Sequence, residues 1–157
     1  MPDMLVKLYE LPDSTDLIRK LESEHIRVFR PMTPNRDKVS GWIEEQFGIG
    51  WANEIEAAFT RHPVSCFIAY DTEEKKILGF AGYDCTTKGF FGPTGVDPEK
   101  RGRGIGGALL LSCLEAMREE GYGYAVIGSA GPVDYYRKVC GAEIIEGSVP
   151  GIYKNLI

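Results

Sequence analysis

The stretch RGRGIGG at residues 101–107 places two arginines and four glycines just before an apolar run that is typical of a buried helix. The first turn of a helix leaves about four backbone N–H groups unpaired, and the helix dipole adds positive charge there. Glycine has no Cβ, so a phosphate can approach this backbone closely, and Arg101 and Arg103 add positive charge. We therefore predict a phosphate or pyrophosphate site, in preference to a tight turn that needs glycine only for packing.

Two well-known phosphate loops can be compared with this stretch. A P-loop needs Gly-Lys followed by Ser or Thr, but Ala108 follows Gly107. Gly102, Gly104 and Gly107 do satisfy the GxGxxG pattern of a Rossmann unit. In that unit the first glycine directly follows a strand, whereas DPEKR intervenes here, so a nicotinamide-dependent enzyme is the less favoured alternative.

The periodicity of apolar residues predicts the elements that must position this loop. Apolar residues at helical spacing indicate helices, and short aromatic or alternating runs bounded by turn residues indicate strands, three of which form an antiparallel meander. The predicted helices span residues 16–24, 35–48, 51–62, 105–120 and 132–140. The predicted strands span residues 4–11, 25–32, 64–71, 76–84, 89–96 and 124–129, with a closing pair at 142–147 and 151–157.

Composition narrows the class of protein. A chain of 157 residues with 26% charged and 43% hydrophobic residues is typical of one soluble domain, and no apolar run approaches the length of a membrane span. The N-terminal residues lack the pattern of a secretory signal, so we expect a cytoplasmic protein. The net charge of −5 argues against a nucleic-acid binder and is compatible with a cationic substrate. The four cysteines are widely separated and predict neither disulfides nor a metal site.

Two motifs resemble those of one enzyme family. VDPEKRGRGIGGALL is similar to the acetyl-CoA signature of the GNAT superfamily of N-acyltransferases, whose Arg/Gln-x-x-Gly-x-Gly/Ala pattern is met by Arg101, Gly104 and Gly106. YYRKVCGAEII is similar to the family's short helix with an aromatic pair and a glycine. The resemblance implies a mixed α/β fold of the α+β type, with a mostly antiparallel sheet of about six to seven strands flanked by helices. It implies one domain over residues 1–157, with a core at 25–157 and an added N-terminal strand and helix in 1–24.

The resemblance also implies acetyl-CoA as co-substrate, with no metal. Its pyrophosphate would be held by backbone N–H groups of the glycine loop, and its pantetheine arm would enter a slot where the strand ending at Val96 splays from residues 124–129. Because Pro93 cannot donate a ladder hydrogen bond, we expect that strand to be irregular. The implied cofactor-binding residues are Thr94, Gly95, Val96, Arg101, Gly102, Arg103, Gly104, Ile105, Gly106 and Gly107.

Acetyl transfer to an amine needs a neutral nucleophile, a stabilised oxyanion and a proton for the leaving thiolate. By its place in the family motif, Tyr136 would supply the proton, although only one of Tyr135 and Tyr136 can face the sulfur. The backbone N–H of Val96 is the implied oxyanion donor. Asp84 is the candidate base, and its alternative interpretation is a turn residue at a strand end.

The helix pair at residues 35–62 is expected to line the acceptor site. Trp42, Glu45 and Trp51 are the candidate substrate-binding residues, since acidic and aromatic side chains suit a cationic amine. The acceptor is thus expected to be a primary amine of a small molecule or peptide, with no nucleic-acid or membrane partner, and a homodimer through the closing strands is possible. A coenzyme A or acyl-CoA sensing module without turnover stays open as an alternative.

Overall fold

The computed structural model describes all residues from Met1 to Ile157. Seven strands form one sheet in the order β2-β3-β4-β5-β6-β1-β7. All neighbouring strands are antiparallel except β5 and β6, which are parallel. The strands are β1 (Met4–Lys7), β2 (Ile26–Phe29), β3 (Cys66–Asp71), β4 (Lys76–Tyr83), β5 (Phe90–Val96), β6 (Tyr124–Ile127) and β7 (Glu143–Ile144).

Five α-helices flank this sheet, so the predicted mixed architecture and the β3-β4-β5 meander are confirmed. The longest helix has 15 residues, and no helix has both the length and the apolar character needed to cross a bilayer. The helices are α1 (Thr15–Ser23), α2 (Arg36–Phe47), α3 (Ile49–Glu56), α4 (Ile105–Glu119) and α5 (Val133–Cys140).

The sheet separates two hydrophobic cores. Strand β4 directs Leu78 into the core beneath α4, and it directs Ile77 and Phe80 into the core beneath α2 and α3. Ile77 and Phe80 share a face although they are three residues apart, because a register shift against β3 adds one residue to β4 between them. Nine residues of α4 are buried, in agreement with the apolar surface that predicted a largely buried helix. The position of α4 across the middle of the sheet fixes where its first turn, and hence the glycine loop, lies.

The N-terminal segment runs through the interior of the sheet. Strand β1 lies between β6 and β7 and pairs with both, with Met4 opposite Ile127 on one side and Ile144 on the other. Met4 and Val6 are fully buried. Helix α1 then leads the chain to β2 at the opposite edge of the sheet. Residues 4–23 thus connect the two halves of the fold across the face that carries α4.

The predicted closing strand pair is wrong. Only Glu143–Ile144 forms a strand, and Gly151–Asn155 forms a 3-10 helix. Gly147 and Gly151 have φ values of 73° and 59°, which interrupt an extended chain on both sides of Pro150. The first predicted strand is also too long, because it ends at Lys7 and residues Leu8–Glu10 form another 3-10 helix.

Candidate active site

The slot expected between two strands begins where β5 and β6 stop pairing. These parallel strands pair only at Phe90 with Val126 and at Phe91 with Ile127. On its other side β5 has a register shift, because Thr94 pairs with Ala81 while Phe91 pairs with Tyr83. The shift adds one residue to β5 around Gly92 and Pro93, as in a β-bulge. The expected irregularity at Pro93 is confirmed, and it lies beside the point where the two strands separate.

The alternation of the β4–β5 ladder determines which N–H groups of β5 face this slot. The Asp97 N–H donates to the Leu78 carbonyl at 2.8 Å, just beyond the Val96–Gly79 pair. In an antiparallel ladder, hydrogen-bonded pairs alternate with pairs whose polar groups point outward. The backbone N–H groups of Val96 and, two residues earlier, Thr94 are therefore directed away from β4 and toward the slot. The Thr94 hydroxyl is bonded to the Phe80 carbonyl at 3.1 Å.

The glycine loop joins β5 to α4 and presents free backbone N–H groups. Asp97 accepts a hydrogen bond from the Glu99 N–H at 3.0 Å, which forms the turn after β5. None of the N–H groups in residues 101–107 has a hydrogen-bond partner. The loop thus offers a row of donors with positive charge beside it, as the sequence predicted for an anion site.

Gly104 is required at the start of α4 for two reasons. Its φ of 87° lies in the left-handed region, which glycine adopts without a steric cost. In addition, a Cβ built on Gly104 would lie 2.8 Å from Cδ1 of Leu17 in α1. The loop is thus packed against α1 on one side. Its two arginines differ in exposure, since Arg101 is exposed and Arg103 is half-buried.

The two tyrosines of α5 occupy different environments. Tyr136 is 7% exposed and packs in the core beneath α4, whereas Tyr135 is 38% exposed. The Tyr135 hydroxyl lies 3.4 Å from a Cβ built on Gly106, and Val96 Cγ2 lies 3.6 Å from the same point. Tyr135 therefore presents its phenol between the end of β5 and the first turn of α4. Burial raises the pKa of Tyr136 to about 12 and also raises the pKa of Tyr135.

Asp84 lies in a hydrogen-bonded network at the far end of α4. Its side chain is 2% exposed and forms an ion pair with Arg61. The Tyr122 hydroxyl donates to Oδ2 at 2.9 Å, and the Gly89 N–H donates to Oδ1 at 2.6 Å. Arg61 also pairs with Glu120, immediately after α4, at 3.1 Å. Helix α4 has 15 residues and is about 22 Å long, so Asp84 lies toward the end of α4 opposite the glycine loop, with both of its oxygens bonded.

Aromatic side chains of α2 and α3 pack over the opposite face of β5. Phe47 is 5.3 Å from Trp51 and 5.8 Å from Trp42, measured between ring centroids. A Cβ on Gly95 would lie 2.6 Å from Phe47 Cζ, so the absence of a side chain at Gly95 leaves room for this ring. Trp51 is 38% exposed, whereas Trp42 is half-buried. The predicted aromatic residues thus lie together beside β5.

The acidic residues of the same helices are accessible. Glu45 is exposed and has no hydrogen bond or ion pair. Glu54 is half-buried and accepts a hydrogen bond from the Thr86 hydroxyl at 2.6 Å. One oxygen of the Glu54 carboxylate is therefore free to bind another donor.

Tyr153 lies beside the end of β6, a position that the sequence analysis missed. Its hydroxyl lies 2.2 Å from a Cβ built on Gly128, just after β6 and beside Phe90. Burial, together with the carboxylates of Asp3 and Glu54, raises the pKa of Tyr153. The predicted closing strand would have placed this residue in a ladder. A glycine at the end of a strand was the available signal, because it often marks a close approach of another group.

Comparison with known proteins agrees with this geometry. The model of the acetyltransferase (GNAT) family matches residues 24–142. No curated protein matches the chain. A glucosamine N-acetyltransferase region of a fungal multi-domain β-N-acetylglucosaminidase has a TM-score of 0.74 at 14% identity, over 92% of this chain and 19% of that one.

Two further solved structures share the fold. A GCN5-related N-acetyltransferase from Sphaerobacter thermophilus has a TM-score of 0.65 at 20% identity, over 92% of this chain and 48% of that one. A tandem GNAT protein from the clavulanic acid biosynthesis pathway has a TM-score of 0.57 at 15% identity, over 91% of this chain and 49% of that one. The chain spans about half the length of these two structures. The family match covers most of the chain, and the chain therefore belongs to the GNAT acetyltransferase family.

Proposed function

We propose that this protein transfers an acetyl group from acetyl-CoA to a primary amine. The observation that carries the proposal is the joint placement of three features. These are the unpaired N–H groups of the glycine loop, the separation of β5 from β6, and the phenol of Tyr135 between them. A diphosphate fits the loop because it supplies acceptor oxygens for these donors and negative charge for the helix N-terminus.

Binding of acetyl-CoA, stabilisation of the oxyanion and protonation of the thiolate are each assigned to groups of this chain, and the amine attacks in its neutral form. Bound acetyl-CoA supplies an acyl thioester. The N–H groups of Arg101–Gly106 would hold its phosphates. The N–H groups of Thr94 and Val96 would bind the pantetheine arm and the thioester within the slot. The Val96 N–H is directed toward the opening, where a donor can stabilise an oxygen that gains negative charge. Bonds of this kind orient the thioester before the amine attacks.

The proton for the thiolate is proposed to come from the tyrosine pair of α5. The motif favours Tyr136, whereas the Tyr135 hydroxyl lies beside Gly106 and Val96, at the end of the slot nearest the glycine loop. Both phenols are protonated at neutral pH, because the ordinary pKa of a phenol is about 10 and burial raises both pKa values further. Either can therefore serve as an acid, and single Phe variants separate the two assignments.

The acceptor is proposed to approach from the side of α2 and α3. Glu45 and the free oxygen of Glu54 supply negative charge there, and Trp42 and Trp51 supply aromatic surface. A cationic group of the substrate is attracted to both kinds of side chain. The amine can belong to a small molecule or a peptide, and the fungal neighbour makes glucosamine one member of the panel to be tested.

The direct test is release of free thiol from acetyl-CoA in the presence of amines. The panel should contain polyamines, amino acids, aminosugars, aminoglycosides and a lysine peptide, with the acetylated product identified by mass. We expect amine-dependent thiol release with at least one class. Tight coenzyme A binding without release for any class would favour a sensing module, and NADH binding without coenzyme A binding would reject the proposal.

A further inference from the structure

Helix α1 lies outside the part of the chain that the family model matches, yet it packs along α4 up to the glycine loop. The Ser14 hydroxyl, just before α1, donates to Glu115 Oε1 of α4 at 2.7 Å. Near the other end of α1, the Lys20 ammonium donates to the Arg103 carbonyl at 3.3 Å. The family match begins at residue 24, so these contacts are features of this chain's N-terminal segment.

Leu17 is the apolar contact between α1 and the loop. Its Cδ1 lies 2.8 Å from a Cβ built on Gly104, and its Cδ2 lies 3.7 Å from a Cβ built on Gly107. Leu17 is also packed against the main core beneath α4. Because this side chain fills the space beside two loop glycines, it restricts the backbone conformations available to the loop.

Two charged side chains, one on α1 and one directly after it, change the electrostatic potential of the loop in opposite directions. Lys20 places its positive charge against the Arg103 carbonyl, next to the unpaired N–H groups. Glu24, which follows α1, has its Oε1 4.0 Å from a guanidinium nitrogen of Arg103. The other oxygen, Oε2, is buried without a hydrogen-bond partner. Lys20 thus adds to the positive potential of the loop, and Glu24 reduces it.

We propose that α1 is a clamp on the phosphate-binding loop and that its charged residues set the affinity for acyl-CoA. In this proposal Leu17 fixes the shape of the loop, Lys20 attracts the phosphates, and Glu24 holds Arg103 back from them. The inference rests on the proposed function, because it assumes that the loop binds the diphosphate. Leu17 and Lys20 are positioning and binding residues, and the chemical step belongs to other groups.

Calorimetric titration of the purified full chain with coenzyme A tests the two charges. Lys20→Met should raise the dissociation constant about 3- to 10-fold, since an exposed charge beside a phosphate contributes modestly. Glu24→Gln should lower it about twofold or more, because Arg103 becomes free to turn toward the ligand. Arg19→Met is the matched control, since Arg19 is an exposed cation one residue away on α1 and makes neither of the polar bonds to the loop, which come from Lys20 and Glu24.

The outcomes separate this inference from the proposed function. The proposed role of α1 would be overturned, with acyl transfer left in place, by either of two results. One is an equal change of the dissociation constant in Lys20→Met and Arg19→Met, and the other is an unchanged dissociation constant in both Lys20→Met and Glu24→Gln. Absence of coenzyme A binding by the unaltered protein would overturn the proposed function itself. Lys20→Arg should restore most of the affinity, because it restores the charge.

Leu17→Ala tests the packing contact by steady-state kinetics. It should raise KM for acetyl-CoA about 3- to 10-fold while changing kcat less than about twofold, because a looser loop binds phosphate less well but does not touch the acyl group. Thermal unfolding of the variant is the control, and it should show that the variant is folded at the assay temperature. A 3- to 10-fold fall of kcat with unchanged KM would contradict the assignment of Leu17 to phosphate binding.

Discussion

Replacement of Gly104 by alanine separates the two reasons for a glycine at the start of α4. Gly102 and Gly104 have similar φ values of 83° and 87°. A Cβ on Gly102 meets nothing within 4 Å, whereas a Cβ on Gly104 meets Leu17 at 2.8 Å. Gly102→Ala is therefore a matched control that introduces the backbone strain without the steric contact.

The expected magnitudes follow from these two terms. An L-residue in the left-handed region costs about 1–2 kcal/mol, partly offset because alanine lowers the entropy of the unfolded chain by about 0.4–1 kcal/mol. Gly102→Ala should thus lower the free energy of unfolding by about 1 kcal/mol. Gly104→Ala adds the displacement of a packed Leu methyl group, about 1–2 kcal/mol more. We expect a total loss of about 2–3 kcal/mol.

Urea unfolding of the single variants and of each glycine variant combined with Leu17→Ala provides the measurement. In the Leu17→Ala background the extra cost of Gly104→Ala should disappear. The coupling energy is then about 1–2 kcal/mol between Leu17 and Gly104 and about zero between Leu17 and Gly102. Equal losses for the two glycine variants, or no coupling between Leu17 and Gly104, would refute the packing of α1 on the loop.

Three further predictions concern the tyrosine pair of α5, the Asp84 network and the packing of Phe47 on β5. The Phe variant of the tyrosine that protonates the thiolate should lower kcat about 10- to 10⁴-fold with unchanged acetyl-CoA binding, and unchanged turnover for both Tyr135→Phe and Tyr136→Phe would remove the pair from the mechanism. Asp84→Asn should lower the free energy of unfolding by about 1–3 kcal/mol in denaturant titrations and leave the pH–rate profile unchanged. Loss of the fall in rate at low pH would instead identify Asp84 as the base. Gly95→Ala should lower the thermal midpoint because the added Cβ displaces Phe47. The same change should lower the midpoint less in the Phe47→Leu background. An equal loss in both backgrounds would show that Phe47 is not the reason for a glycine at residue 95.

The glycine loop and the helix after it could be predicted because both depend on local sequence. Residues 101–107 combine glycine, arginine and a following apolar stripe, and α4 begins at Ile105 as expected. The irregular strand at Pro93 was also local, since a proline removes a ladder donor wherever it lies. Each of these features is determined by residues that are neighbours in the chain.

Long-range features could not be predicted in the same way. The insertion of residues 4–7 between β6 and β7 depends on pairing with residues over 100 positions away. Strand β7 has only two residues, and residues 151–155 form a 3-10 helix that places Tyr153 against Gly128. The environment of Asp84 likewise depends on Arg61 and Tyr122, which no spacing pattern connects to it.

The central claim is that the diphosphate of coenzyme A binds to the N–H groups of the glycine loop. The most direct measurement is the change in backbone amide chemical shifts when the ¹⁵N-labelled protein is titrated with desulfo-coenzyme A. The account predicts the largest changes at the amides of residues 101–107, with smaller ones at Thr94 and Val96. Saturable binding with the largest changes elsewhere, or no binding at all, would contradict it.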